Sequence, residues 1–389
     1  MKIHRVRKSQ SHEAATGKAK DSEKVVKKQK IRDFTKQRAQ YIEKAGEAIL
    51  PEKGKIQYND FSKWNKTCEA FFARNGGTKA VFLDFDGTMA RFTETPAQTL
   101  AVHGFLSSLK NLVDKGYKVA IITGRPIEGT ERIHLATNQV MKEENGVLEA
   151  LKRSGADSKL IDRLYIFGSH GVEQRGHETN WEVQIDPKAK DFVEPQKQLL
   201  SHLQQRIKSN NELKDLNISI EKKPLGATIH YREVGEESVR QQVKRGLSKL
   251  LSEILPEKSD NTNFTHLKDQ SNENFKNFTY NSATESFEIR LNPETTDVEI
   301  NKGTSVKALA EKWQVKVAIA FGDDTTDLDM QKKLTELNLT ATAFVGVKHD
   351  KTPDDILTGS TLVVQGQESA VGFLKDLAQR APNQDEGQA

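Results

Sequence analysis

The stretch VFLDFDGT, residues 81–88, decides the fold. An apolar run ends in two aspartates one residue apart, Asp84 and Asp86, and Gly87-Thr88 follows at once. Like charges this close repel, and each carboxylate gives up water. A strand that ends in a turn accounts for Asp86-Gly87, because Asp and Gly supply turn conformations. It does not account for Asp84, which still lies inside the apolar run.

Working outward, KAVFLDF (79–85) reads as a buried strand, residues 97–115 as a helix and KVAIITG (118–124) as a second strand. LYIFGSHG (164–171) and KVAIAFGDD (316–324) repeat the pattern. Continuous apolar strands separated by helices imply an α/β fold whose parallel sheet is covered on both faces. Residues 174–295 differ. A helix near 188–212, NISIEKK (217–223), ATIHYRE (227–233), a helix near 236–254 and SFEIRLN (286–292) follow in turn. These strands alternate polar and apolar residues, so they predict an antiparallel sheet with one polar face, inserted into the parallel domain. Residues 256–284, rich in Asn, Thr and Ser, read as a mobile insertion within it.

With 389 residues, the chain is long enough for two domains. No apolar run approaches the roughly 20 residues that span a bilayer, and no apolar block of a signal peptide opens the chain. Cys68 is the single cysteine, which excludes an intrachain disulfide and a cysteine zinc cluster. The expectation is a cytoplasmic protein without a membrane partner. Residues 1–50 carry 14 Lys and Arg against 6 Asp and Glu, so the net +4 becomes +8 here and −4 over the rest. Residues 1–30 read as a disordered basic tail. A solvated tail without a specific partner is the favoured reading, although nonspecific contact with nucleic acid or an anionic surface fits its charge. Glu13, Asp21 and Glu23 argue against a mitochondrial presequence. Residues 31–75 predict a helical segment, with Phe61, Trp64, Cys68, Phe71 and Phe72 on one face.

Ligands of open parallel sheets bind beyond the carboxyl ends of the strands. Those ends carry Asp84, Asp86, Thr88, then Thr123, Gly124, Arg125, then Gly322, Asp323, Asp324 and Asp327. Lys302, in INKGTS (300–305), precedes a predicted helix. A carboxylate cluster of this kind calls for a hard, oxygen-bound divalent cation such as Mg²⁺. The cation also neutralises a phosphate, whose other oxygens suit Thr123 and Lys302. Asp84 then acts as a nucleophile that forms an acyl-phosphate, and Asp86 moves protons to the leaving oxygen and from water.

DFDGT, TGR, the helix-starting Lys302 and GDDTTD, in this order, resemble the haloacid dehalogenase superfamily of aspartate-nucleophile phosphatases. GSHGVE (168–173), IEKKPLGATIHYR (220–232), FEIRLNP (287–293) and NKGTSV (301–306) narrow the resemblance to trehalose-6-phosphate phosphatases, over roughly residues 76–380. Leu328 stands where that family commonly has Glu, and the segment between TGRP and GSHG is longer than usual. The resemblance implies a haloacid dehalogenase-like core at 76–173 and 296–380 with an inserted α+β cap at 174–295. It implies Mg²⁺-dependent hydrolysis of trehalose 6-phosphate in trehalose biosynthesis, with Asp84, Asp86, Thr123 and Lys302 catalytic. Asp84, Asp86 (through its backbone carbonyl), Asp323 and Asp327 would form the metal site. Alternation puts Glu221 with Lys223, His230 with Arg232, and Glu288 with Arg290 on one polar face. These six, with Arg125 and Glu173, are the candidates for binding a phosphosugar. His170 fits either a hinge lining or a buried hydrogen bond. The alternatives are a phosphatase for sucrose phosphate, mannosyl-3-phosphoglycerate or glucosylglycerol phosphate, and a non-catalytic tethering or regulatory protein acting through the basic tail.

Overall fold

The computed structural model describes residues 77–93, 96–255, 275–283, 285–292, 295–296 and 298–380. The tail expected at 1–30, the helical segment at 31–75 and most of the insertion at 256–284 lie outside the described residues.

In chain order the strands are β1 (Thr78–Leu83), β2 (Lys118–Ile122), β3 (Thr130–His134), β4 (Val140–Glu143), β5 (Tyr165–Gly168), β6 (Glu173–Arg175) and β7 (Gln184–Ile185). Then come β8 (Ser219–Lys223), β9 (Gly226–His230), β10 (Phe278–Ala283), β11 (Ser286–Leu291), β12 (Val315–Gly322), β13 (Ala341–Lys348) and β14 (Leu362–Gln365). They form an eight-stranded sheet, β14-β13-β12-β1-β2-β5-β6-β7, and a six-stranded sheet, β10-β11-β9-β8-β3-β4. The first sheet is parallel from β14 to β5, and β6 and β7 add antiparallel. Every pairing in the second sheet is antiparallel.

The apolar run of β1 is continuous because both faces of its sheet are covered. Val81 and Leu83 join Ile121, Ile319 and Phe321 in one core, which includes residues of the helices Phe105–Asp114 and Gly366–Arg380. Ala80 and Phe82 point the other way, into a core with Val306, Leu309 and Met330 from the helices Lys302–Lys312 and Leu328–Glu336. Phe82 stacks on Trp313 there. The second sheet packs one face on helices, with Ile220, Ala227, Ile229, Phe287 and Ile289 against Leu199, Leu203 and Leu247 of the helices Val193–Ser209 and Glu237–Ser252. The alternation read in 217–223, 227–233 and 286–292 matches the apolar face of strands β8, β9 and β11.

Three details depart from the expectation. The helix expected at 97–115 is a short 3-10 turn, Pro96–Gln98, followed by a helix that starts at Phe105 after Gly104 with φ 90°. The division between sheets does not follow the 174–295 boundary: β3 and β4 come from the earlier segment 130–143, while β6 and β7 stay in the first sheet. The extra length between TGRP and GSHG therefore holds the β3–β4 hairpin. Finally, Phe278–Ala283 within the expected insertion is strand β10, with Phe278 and Tyr280 buried and the strand paired along β11.

Candidate active site

Parallel pairing sets Leu83 of β1 beside both Phe321 of β12 and Ile121 of β2. The carboxyl ends of these three strands therefore form one rim. Asp84 continues the ladder for one residue, donating its N–H to Phe321 O (3.1 Å), which leaves its side chain at the rim, 3% exposed. Gly87 then turns the chain at φ 78°, and a Cβ there would overlap the Asp323 carboxylate. Glycine is required twice over, for its conformation and for this close approach.

Lys302 opens its helix behind a capping box, with Asn301 Oδ1 accepting from Thr304 N (2.8 Å). Its buried ammonium donates to Asp84 Oδ1 (2.7 Å) and Asp327 Oδ1 (2.8 Å). Asp327, 0% exposed, also accepts at Oδ2 from the N–H groups of Asp323 (2.9 Å) and Asp324 (3.0 Å). Both its oxygens are thus occupied by the chain. Thr88 Oγ1 lies between Asp84 Oδ2 (3.3 Å) and Asp323 Oδ1. His349, just beyond β13, completes the cluster. Lys351 N donates to its Nδ1 (3.1 Å), so Nε2 carries the proton and donates to Asp323 Oδ2 (2.8 Å).

The balance of charge here is negative. Burial, then the neighbouring Asp327, raises the Asp84 pKa well above the carboxylate range. The same two causes push Asp323 up to about 7. Burial opposes the charge on Lys302, but Asp327 and Asp84 outweigh it and hold the ammonium protonated. Asp84, Asp323 and Asp327 offer ligand atoms within 4.8 Å of one another. The three carboxylates together could hold a hard cation, which fits their chemistry.

Asp86 sits apart from this cluster. Its carboxylate is gripped by Arg125, through Nε to Oδ2 (2.5 Å) and Nη2 to Oδ1 (2.6 Å). The same guanidinium donates to Pro96 O (2.8 Å), Asn145 O (3.0 Å) and Thr99 Oγ1 (2.6 Å). Arg125, expected at the substrate, is instead committed to Asp86. The carboxylate of Asp86 is not among the three grouped side chains; the expectation concerned its backbone carbonyl. Thr123 is buried at the end of β2, and its Oγ1 accepts from Arg125 N (3.1 Å). His170 has left-handed φ 60° and packs its ring over Gly124, where a Cβ would meet it at 2.7 Å.

Register places Glu221 beside Thr228, Thr228 beside Glu288 and Glu288 beside Asn281, one polar row across the second sheet. Lys223 Nζ reaches Glu288 Oε1 (3.4 Å), and Thr228 Oγ1 is buried with no hydrogen-bond partner among the described residues. Glu288 and Arg290 lie close enough to His170 for their charges to act on its ring, as do Lys302 and Asp324 on the rim side. The polar face therefore approaches the rim. Glu221 itself is only 5% exposed, and its carboxylate meets Thr130, Asn145 and His230, each at 2.9 Å.

Two expected contacts belong elsewhere. The strand β9 ends at His230, so alternation does not carry Arg232 onto the polar face; Arg232 pairs with Glu285 (2.8 Å) and is largely exposed. Glu173 turns inward, where Oε2 accepts from Ile127 N and Ser169 Oγ (both 2.9 Å). Asn145, Thr130 and His349 were not anticipated. His349 had a readable signal, since it follows the apolar strand β13 at the same rim. Asn145 sits in the irregular connection between β4 and Val147 and had none.

No family model matches the chain. Among solved structures, it is similar to Aspergillus fumigatus trehalose-6-phosphate phosphatase, with 18% identity over 82% of this chain and 97% of that chain and a TM-score of 0.49. The C-terminal domain of the C. albicans trehalose-6-phosphate phosphatase is similar at 15% identity, over 85% of this chain and 99% of that one, with a TM-score of 0.48. A phosphatase of the haloalkanoate (HAD) enzyme superfamily from Bacteroides thetaiotaomicron gives 14% identity, 78% and 95% coverage, and a TM-score of 0.38. The chemistry rests on the residues of this chain.

Proposed function

We propose that the chain is a phosphoric monoester hydrolase that uses Asp84 as nucleophile and acts on trehalose 6-phosphate. One observation carries this reading: the two aspartates of DFDGT stand in opposite settings. Asp84 is buried against Lys302 among like charges, whereas Asp86 is held apart by Arg125. Asp84 stands where a cation would hold it ionised for attack, and Asp86, ion-paired with Arg125 in this state, loosens from that guanidinium to carry a proton.

In the first half-reaction Asp84 attacks phosphorus, the bond from phosphorus to the sugar oxygen breaks, and Asp86 gives that oxygen a proton. In the second, Asp86 takes a proton from water. The hydroxide attacks phosphorus, and the bond to Asp84 breaks, releasing phosphate. Lys302 and Thr123 hydrogen-bond the phosphoryl oxygens, and Asp327 holds Lys302 and the Asp323–Asp324 backbone in place. Mg²⁺ held by Asp84 and Asp323 would supply the positive charge that keeps Asp84 ionised and offsets the phosphate. His349 fixes the orientation of Asp323. The polar face, with Lys223, Glu288, Arg290 and Thr228, meets the sugar hydroxyls.

Phosphate release from a panel of phosphosugars, with and without Mg²⁺, tests the proposal. The expected result is Mg²⁺-dependent turnover fastest on trehalose 6-phosphate. Preference for sucrose phosphate, mannosyl-3-phosphoglycerate or glucosylglycerol phosphate would reassign the sugar. No release from any of them by the folded protein would overturn the proposal.

A further inference from the structure

The chain crosses from the first sheet to the second and back within one short segment. It leaves after β2, forms β3 and β4, and re-enters the first core at Val147 and Leu148. The outgoing and returning crossings lie against each other, with Val147 N donating to Pro126 O and Leu148 N to Ile127 O (both 3.0 Å). A Cβ at Gly129 would collide with Glu143 O, and one at Gly146 with the Glu128 carbonyl. Backbone therefore meets backbone on both sides of Asn145.

Both ends of the Asn145 side-chain amide, and its backbone carbonyl, are engaged at this crossing. Its Oδ1 accepts from Thr130 N (3.0 Å), and its Nδ2 donates to Thr130 Oγ1 and Glu221 Oε1 (both 2.9 Å). Thr130 Oγ1 donates to the same Glu221 oxygen (2.9 Å), and Glu221 Oε2 meets His230 (2.9 Å). On the other side, the Asn145 carbonyl accepts from Arg125 (3.0 Å), which grips Asp86. A chain of contacts thus runs from the polar face of the second sheet to Asp86.

We propose that Asn145 is a positioning residue that couples the polar face of the second sheet to the orientation of Asp86. The inference rests on the reading of Asp86 as the proton donor. The side chain pins this segment to Thr130 and Glu221, and the pinned segment sets where its carbonyl holds Arg125. Arg125 in turn fixes the carboxylate. Without the Asn145 side chain the carbonyl remains, but it is no longer anchored.

A general acid matters in proportion to how poorly the leaving group departs. A series of phenyl, p-nitrophenyl and dinitrophenyl phosphates varies that property without a sugar, so losses of sugar binding do not enter. The parameter is kcat/KM, which reports transfer to Asp84. Asn145→Ala and Thr130→Val should lose about tenfold on phenyl phosphate and less than about twofold on dinitrophenyl phosphate, the size of one weakened charged hydrogen bond. Thr130→Ser keeps the hydroxyl and should restore the wild-type slope. Asp86→Asn is the control and should give the steepest dependence. If Asp86→Asn is steep while Asn145→Ala and Thr130→Val fall equally on all three esters, or not at all, the coupling is wrong and the proton-donor reading stands. If Asp86→Asn is itself flat, the proton-donor reading fails and takes the coupling with it.

Discussion

Asp84 and Glu221 are both buried acids, and their surroundings drive them in opposite directions. Burial, then Asp327, raises Asp84. Burial also opposes the charge on Glu221, but the hydrogen bond from His230 and the charge of Lys223 outweigh it and bring Glu221 down to about 2. Glu221 has a donor from each of Thr130, Asn145 and His230. Asp84 and Asp323 share a threonine hydroxyl and crowd a third carboxylate around one lysine. The cap-side acid is a finished network that holds shape. The rim acids form an unfinished one, which a cation and a phosphate would complete. Burial alone does not mark a functional carboxylate; the balance of donors and charges around it does.

That contrast breaks first at Asp323. Asp323→Asn should abolish the rise in Tm that Mg²⁺ gives the wild-type protein, because a ligand that binds only the folded state stabilises it. An unchanged Mg²⁺ titration by calorimetry would move the cation away from Asp323. At the opposite pole, Glu221→Gln should lower stability at pH 7 by on the order of 3 kcal/mol in denaturant titration, following the depressed pKa. The sign follows from the direction of the shift. A carboxyl held below its usual value contributes fully above about pH 4.5 and loses that contribution as pH falls through about 2. The deficit of the variant should therefore shrink towards pH 2, and a constant deficit would show that packing, not charge, is responsible.

Lys223 and Arg232 sharpen the comparison within the second sheet. Lys223→Ala should reduce kcat/KM for trehalose 6-phosphate by about tenfold and leave an aryl phosphate unaffected. Arg232→Ala should stay within about twofold on both substrates, because its exposed side chain pairs with Glu285 beyond the end of β9. Equal losses in the two variants would return Arg232 to the polar face. The mirror image of Glu221 is Glu173, which burial raises to about 7. Its folded form binds a proton more tightly than the unfolded chain does, so stability is lost as pH rises from about 4.5 through 7. Glu173→Gln should thus raise stability at pH 8 by an amount comparable to the loss in Glu221→Gln, with opposite sign, and change it little at pH 5.

The rim was legible because strand ends collect chemistry, and β1, β2 and β12 announce their ends by changing from apolar to polar at Asp84, Thr123 and Asp323. The polar face was legible from alternation, which fixed Glu221 against Ile220 and Glu288 against Phe287. Alternation failed at Arg232 because it says nothing about where a strand stops. It failed at Glu173 because a strand-end carboxylate turns inward when backbone N–H and hydroxyl donors wait there. The β3–β4 hairpin escaped because its second strand, VMKE, is an exposed edge without a buried stripe. Asn145 and the pairing of Arg125 with Asp86 depend on contacts between distant segments, which no local pattern records.

The claim that Asp84 is the nucleophile has a direct measurement. Wild-type protein is mixed with trehalose 6-phosphate and Mg²⁺, quenched in acid within one turnover, and reduced with borohydride, which converts an aspartyl phosphate to homoserine. Peptide mass spectrometry should find homoserine at position 84 and an unchanged aspartate at position 86. Release of phosphate with Asp84 unmodified at every quench time, or homoserine at position 86, would contradict the account.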